Sequence, residues 1–126
     1  MSRVKRGVAA HKKHKKVLQQ AEGRRGAKRK LVRPAREAAM HALAYAYRDR
    51  RARKAQFRAL WIARINAASR EGGVSYSRLM AAMRAAGVDL DRKILADMAV
   101  NDPKVFRHYV DLVRENKLKA ETPGSS

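Results

Sequence analysis

The sequence predicts an all-α protein: a basic N-terminal extension, one long helix, then a small C-terminal helical globule of about four helices including the end of the long helix. Three observations carry this. No segment shows the period-two alternation of a half-buried strand. Residues 35–70 contain neither Gly nor Pro and are rich in Ala, Arg, Leu and Lys, all good helix formers. Charge and bulk also divide along the chain. Residues 1–58 hold 20 of the 31 basic residues and 3 of the 11 acidic ones, net +17, whereas residues 59–126 hold 11 and 8, net +3. Large apolar residues divide the opposite way, 23 of 34 lying between Phe57 and Leu118. The expected organisation is a basic extension over 1–58 (a disordered arm plus the first part of the long helix), a small helical domain over 59–118, and a flexible tail over 119–126.

Residues 1–33 contain RVKR, HKKHKK and RRGAKRK, with few and unpatterned large apolar residues. Such a segment buries too little surface to offset its ordering entropy. It is expected to be largely disordered when free, with His11 to Glu22 turning helical once its charges are neutralised. Pro34 suits the first turn of a helix, where its missing N–H costs nothing. One helix of roughly 35 residues follows, about 50 Å long at 1.5 Å per residue, until Gly72-Gly73 stops it. Met40, Leu43 and Tyr47 make a short stripe on it. Residues 48–56 then carry charge around most of the circumference. Phe57, Trp61, Ile65 and Ala68 resume an apolar stripe with Leu60 beside it, the face on which a globule packs.

Three shorter helices complete the globule. Ser75 or Ser77 caps one running to Ala86, with Tyr76, Leu79, Met80 and Met83 on one face and Gly87 ending it. Asp89 or Asp91 caps the next, with Ile94, Leu95 and Met98 inward. Asp102-Pro103, a cap followed by a first-turn proline, opens the last, with Phe106, Tyr109, Val110 and Val113 inward. The end, KAETPGSS, reads as a frayed tail.

Net charge is +20 and the sequence pI about 11.4. That excess implies a polyanionic partner: nucleic acid first, an anionic membrane surface second. There is no Cys, so neither a disulfide framework nor a thiolate metal site. No apolar run approaches the roughly 20 residues that span a bilayer, and MSRVKRGVAA lacks the apolar core of a signal peptide. The chain therefore reads as cytoplasmic. A membrane-active helix would need a broad apolar face, which residues 48–56 lack.

Nothing in the sequence assembles a catalytic or metal site. Asp89, Asp91, Asp97 and Asp102 are accounted for as helix caps and surface charge. Ser69, Ser75 and Ser77 have no His–Asp arrangement that spacing supports, and no phosphate-cradling GxxxxGK[ST] loop occurs. His11 and His14 share a helical face, but Lys12, Lys13, Lys15 and Lys16 around them repel a metal cation. Contact with phosphate or base suits them better. His41 and His108 read as surface residues. The expectation is no enzyme, no cofactor, no metal and no small-molecule substrate.

The stretch AYRDRRARKAQFRALWIARI, residues 46–65, is the most informative. Residues 48–58 carry six positive charges against Asp49 alone. A solvated helix usually mixes signs at i, i+4, and this one repels itself unless anions neutralise it. Arg predominates, and its planar fork bridges phosphate oxygens and stacks on bases. Tyr45 and Tyr47 at its edge either stack on bases or sugars or pack into a core. No Gly or Pro interrupts the change from charged to apolar, which would add ordering entropy on binding. The arm's Lys12, Lys13, Arg24, Arg25, Lys28, Arg29, Lys30 and Arg33 add further phosphate contacts. No heptads follow the basic helix, as a zipper-type DNA reader needs, and a helix-turn-helix over 75–100 would not be strongly basic. A disordered arm with a long helix suits the irregular grooves of folded RNA. A nucleoid-type DNA-compacting protein is the alternative.

RVKRGV near the start, HKKVL at 14–18, YAYRDRRARK at 45–54, FRALWIARINAA at 57–68, YSRLM at 76–80 and LDRKILADMA at 90–99 resemble, in that order, the bacterial large-subunit ribosomal protein L-twenty family. The likeness runs from about Arg3 to about Val113, and the YRDRR…FR.LWI.RINAA block is its most specific part. It implies a structural constituent of the large (50S) subunit that binds 23S ribosomal RNA and assists early assembly. Its basic extension (residues 1–58) would penetrate RNA and its small helical domain would lie on the RNA surface. In some members that domain also binds the protein's own mRNA, giving feedback. Neighbouring large-subunit proteins are further implied partners.

On the family's pattern fall Arg3, Lys5, Arg6, His14, Lys15, Lys16, Arg48, Arg50, Arg51, Arg53, Lys54, Arg58, Arg64, Arg92 and Lys93, with phosphate contact implied for most. Asn66 and Tyr76 are implied to reach RNA from the globule, while Phe57 and Trp61 read as core anchors. The chain departs from the pattern at Arg24 in AEGRRG and Val32 in KLVRPA, where the family has aromatics, and at Pro34. Aromatic stacking at 24 or 32 is therefore absent here.

Overall fold

In the computed structural model, residue 3 and residues 5–121 are described, the side chains of 116–121 excepted. Among them the ordered elements are all helical: α1 (Gly7–Gln20), a 3-10 turn (Gly26–Arg29), α2 (Val32–Glu71), α3 (Tyr76–Ala85), α4 (Arg92–Asn101) and α5 (Pro103–Glu121). Contacts divide the chain into two compact units, Met1–Ala52 and Arg53–Ser126, and the division falls inside α2.

In the second unit the core is Ile65 of α2, Val74, Leu79 and Met83 of α3, Leu95 and Ala96 of α4, and Phe106 and Val110 of α5. Helix α5 packs on both α3 and α4. Full burial of an Ile, Leu, Val or Phe side chain stabilises by about 1.5–3 kcal/mol, so these few residues carry the globule. Ser69 is the buried polar residue beside them, and its Oγ donates to the Asn66 carbonyl at 3.0 Å, leaving no orphan. The stripe on α2 takes hold one turn later than periodicity places it. Trp61 packs against the core, but Phe57 and Leu60 are 47% and 42% exposed. Phe57 is therefore not a core anchor.

Local chemistry sets the helix boundaries. Helix α2 opens with Pro34 in its first turn, and the first bond there runs from Ala35 N–H to the Leu31 carbonyl at 3.0 Å. It ends in a Schellman closure: Gly73 N–H donates to Arg70 and Val74 N–H to Ser69. Gly73 has φ +79° there, the left-handed conformation that glycine adopts without strain. The same closure ends α3, with Gly87 and Val88 bonding back to Arg84 and Met83. Ser75, not Ser77, holds the cap position of α3, although its hydroxyl makes no capping bond. Asp91, not Asp89, caps α4 by accepting from Ile94 N–H at 2.8 Å. The Asp102 carbonyl accepts the first bonds of α5, from Val105 and Phe106, with Pro103 at its first position.

Several expectations are corrected. Ile94 is 47% exposed, and Leu95 and Ala96 fill the place expected of it. Met40, Leu43 and Tyr47 are all exposed, while Ala35 and Ala39 are buried in the first unit together with Ala21. Small side chains there admit a close approach that the larger ones would block. Helix α1 is formed over residues 7–20, from four residues before His11, and it buries none of its side chains. Val17 and Leu18 near its end are half-buried, while Lys12, Lys13, Lys15 and Lys16 are exposed along it. Helix α5 runs to Glu121, so residues 119–121 of the expected tail are helical, and the rest of that tail lies outside the described residues.

A Cβ built on Gly72 overlaps Val110 Cγ1, whereas one built on Gly7 meets nothing. Replacing Gly72 by Ala should therefore destabilise the globule by about 1–3 kcal/mol through overpacking. Gly7→Ala should not lower the thermal midpoint. Thermal unfolding followed by circular dichroism compares the two.

Candidate nucleic-acid interface

The basic residues of the first unit are carried by α1, by the connection after it, and by α2. Lys12, Lys13, His14, Lys15 and Lys16 are exposed on α1, with Arg3, Lys5 and Arg6 exposed before it. Arg25, Lys28, Arg29, Lys30 and Arg33 are exposed between α1 and the first turn of α2. Arg24 differs. It is half-buried, and its Nη1 is shielded from solvent with no hydrogen-bond partner among the described residues.

On α2, Arg48, Arg50, Arg51, Arg53, Lys54, Arg58 and Arg64 are all exposed. Successive residues turn by about 100°, so the five positions from 48 to 54 point to most of the circumference. Arg48 pairs with Asp49, its Nε donating to Oδ1 at 3.0 Å. Arg50, Arg51, Arg53, Lys54 and Arg58 have no ion-pair partner among the described residues. Coulomb repulsion among them is relieved only by solvent, salt or a polyanion.

Two of these guanidiniums are held by aromatic rings. Arg48 Cζ lies 4.7 Å from the Tyr45 ring centre, and Arg51 Cζ lies 4.9 Å from that of Tyr47. Each exposed cation–π contact contributes about 0.5–1 kcal/mol, enough to bias the rotamer without hiding the N–H donors. Both tyrosines are about half exposed, 49% and 55%, so neither is a core residue. Their polar and aromatic edges remain open to a partner.

The second unit presents a smaller set. Lys93 is exposed, and Asn66, Tyr76 and Arg92 are half-buried. Arg92 Nε donates to Tyr76 Oη at 2.8 Å. This bond ties the start of α4 to the start of α3 and orients the guanidinium, whose terminal N–H groups stay available. The two residues are 16 apart, and no spacing rule could have joined them. Glu37 and His41, which the sequence reading did not name as site residues, are exposed on α2. They line one hollow with Arg24, Arg25, Lys28 and Tyr45. The i, i+4 spacing of Glu37, His41 and Tyr45 was the available signal.

The remaining acidic and histidine groups do other work. Asp97 accepts from Asn101 Nδ2 at 2.7 Å. His108 is exposed, as is His41, whose Nε2 lies 3.8 Å from the Glu37 carboxylate. Among the described residues no group of three or more His, Asp or Glu could hold a metal ion. No described helix is long and apolar enough to cross a membrane.

Residues 3–109 match the family model described as Ribosomal protein L20. Among curated relatives, the large ribosomal subunit protein bL20 of Roseiflexus sp. (strain RS-1) is 60% identical over 115 residues, covering 91% of this chain and 98% of that one. The bL20 proteins of Moorella thermoacetica and Hahella chejuensis are 57% and 56% identical over the same length, covering 91% of this chain and 95% and 98% of theirs.

The unpartnered charges of α2 generate a prediction about the free protein. Replacing Arg50, Arg51 and Arg53 together by Gln should raise the thermal midpoint at low salt, because like-charge pairs at i, i+3 and its neighbours oppose the helix. The gain should shrink as salt screens the wild type. Helix content against temperature at two ionic strengths measures both effects.

Proposed function

Because the chain belongs to the ribosomal protein L20 family, we propose that it is a structural constituent of the large (50S) ribosomal subunit that binds 23S ribosomal RNA directly and assists early subunit assembly. The family is structural and not enzymatic. The observation that carries the RNA reading is the exposed arginine set of α2, which has one acidic partner for six cations over residues 48–58. Phosphates supply the missing anions, and the Arg fork bridges two phosphate oxygens at once. In this reading residues 1–58 are the extension that enters RNA and residues 59–118 the helical domain that lies against it. Arg92, oriented by Tyr76, would serve the second surface. Neighbouring large-subunit proteins and the protein's own mRNA are further partners of the same reading, and its place is the bacterial cytoplasm, on the ribosome.

Early action follows from the physics of a basic arm. Free ribosomal RNA opposes its own compaction by phosphate repulsion, and a protein that neutralises buried phosphates favours the compact form. Affinity should fall with salt at a log–log slope of roughly −0.7 to −0.9 for each phosphate neutralised.

Chemical footprinting of 23S ribosomal RNA with the intact chain tests this. The expected outcome is a discrete set of protections that excess duplex DNA does not remove. Deleting residues 1–33 should make the salt slope shallower and impair RNA compaction. Diffuse protection that DNA competes away would favour the DNA-compacting alternative instead.

A further inference from the structure

The connection after α1 and the early turns of α2 border a hollow of about 720 Å³. That lies within the range of roughly 300–1,000 Å³ over which small-ligand sites are found. We propose that this hollow receives a single unpaired guanine nucleotide of the bound RNA, with its phosphate on Arg24, Arg25 and Lys28 and its Watson–Crick edge on the Glu37 carboxylate. The inference rests on the RNA-binding reading above and adds a base-selective site to it.

The cationic wall differs from the rest of the basic surface at one atom. Arg24 Nη1 is shielded from solvent yet has no acceptor among the described residues. That atom is closed off by the protein itself, which holds the half-buried Arg24 side chain in place, and its other N–H groups are the donors an anionic oxygen in the hollow can reach. Arg25 and Lys28 line the same hollow, so a phosphate there meets three positive charges.

The opposite wall is built for something other than phosphate. Pro34, Ala38 and Ala42 give it a low apolar surface with room for a flat ring. Glu37 stands among them. A carboxylate repels phosphate, so a site meant only for the RNA backbone would be weakened by it. Glu37 is one of three acidic residues in the first 58. Its side chain is 75% exposed, and its ion-pair contact among the described residues is His41 at 3.8 Å, beyond a good hydrogen bond. Both carboxylate oxygens are therefore open to donors.

Base chemistry selects guanine. Its N1–H and N2–H groups point the same way and match the two oxygens of a carboxylate. Adenine and cytosine offer an amino group beside an acceptor nitrogen, and uracil offers one imino N–H between two carbonyls that a carboxylate repels. In a duplex the guanine donors are consumed by pairing, so only a splayed-out guanine can present them. His41 and Tyr45, with ring centres 5.7 Å apart and planes tilted by 32°, and Arg48 over Tyr45 follow one another along this side of α2.

The test uses the full chain and three hairpin RNAs: one with a single unpaired guanosine in its stem, its unpaired-uridine twin, and the fully paired parent. At fixed salt, the guanosine hairpin should bind about tenfold or more tighter than the uridine twin, the discrimination typical of a good bidentate base contact. Glu37→Gln should bring that ratio to within about twofold, while binding of the paired parent stays equal or strengthens as a negative charge is lost. Arg24→Lys should weaken the guanosine hairpin more than the parent, since it keeps the charge and loses the fork. Circular dichroism confirms that both variants keep their helix content, as expected for an exposed and a half-buried position. Equal binding of the guanosine and uridine hairpins by the wild-type chain would overturn the inference, as would undiminished discrimination by Glu37→Gln. Failure of all three RNAs to bind in a salt-dependent way would overturn the RNA reading itself, and the paired parent separates that outcome from the first two.

Discussion

The constraint on which the structure turns is a helix that must remain a helix while carrying charge it cannot neutralise. Helix α2 runs unbroken from Val32 to Glu71, and through its middle no packed face compensates the repulsion among Arg50, Arg51, Arg53, Lys54 and Arg58. What sustains it is the backbone ladder, a run of residues with high helix propensity, and the absence of Gly or Pro. Each end is then held by different chemistry. The C-terminal part is fixed by Ile65 in the core and by the closure at Gly73. In the N-terminal part the buried side chains are Ala35 and Ala39. A segment with secured ends resists fraying in between, because helix formation is cooperative.

That arrangement explains why the charged stretch is useful. A flexible arginine-rich segment must be ordered when it binds, at an entropic cost for every residue and side chain. Here the backbone is ordered beforehand, and Tyr45 and Tyr47 bias two of the arginines further. The cost of ordering is met within the free protein, by the core and by helix propensity, and under the proposed RNA reading affinity would gain accordingly. The globule's own contribution is of the same kind: Tyr76 holds Arg92 in a defined direction before any partner arrives.

Much of this was legible in the sequence, and for definable reasons. Backbone punctuation is local, so Pro34, Gly72-Gly73, Gly87 and Asp102-Pro103 marked their boundaries directly. Side-chain partners are not local. Periodicity put Phe57 on the same stripe as Trp61 and Ile65, but the packed globule reaches back only as far as Trp61, and Phe57 is left half exposed. The same rule favoured Met40 and Leu43, whereas the buried residues of α2 in the first unit are Ala35 and Ala39. Hydropathy weights large side chains, and a close backbone approach needs small ones. The charge runs marked most of the exposed cations of the first unit. The Tyr76–Arg92 bond joins residues 16 apart and left no trace in the sequence, and of the hollow beside Arg24 only the i, i+4 spacing of Glu37, His41 and Tyr45 was visible.

The central claim is that order in the arginine segment exists before binding. It is tested most directly by replacing Ala55-Gln56 with Gly-Gly in the full chain and measuring affinity for ribosomal RNA at fixed salt. Two interior glycines cost the helix about 2 kcal/mol, without removing a charge or touching a buried residue. The account predicts that the globule's thermal transition persists while RNA affinity falls roughly tenfold or more. Affinity equal to that of the wild-type chain would contradict it, and would mean that the arginines act as unstructured charge.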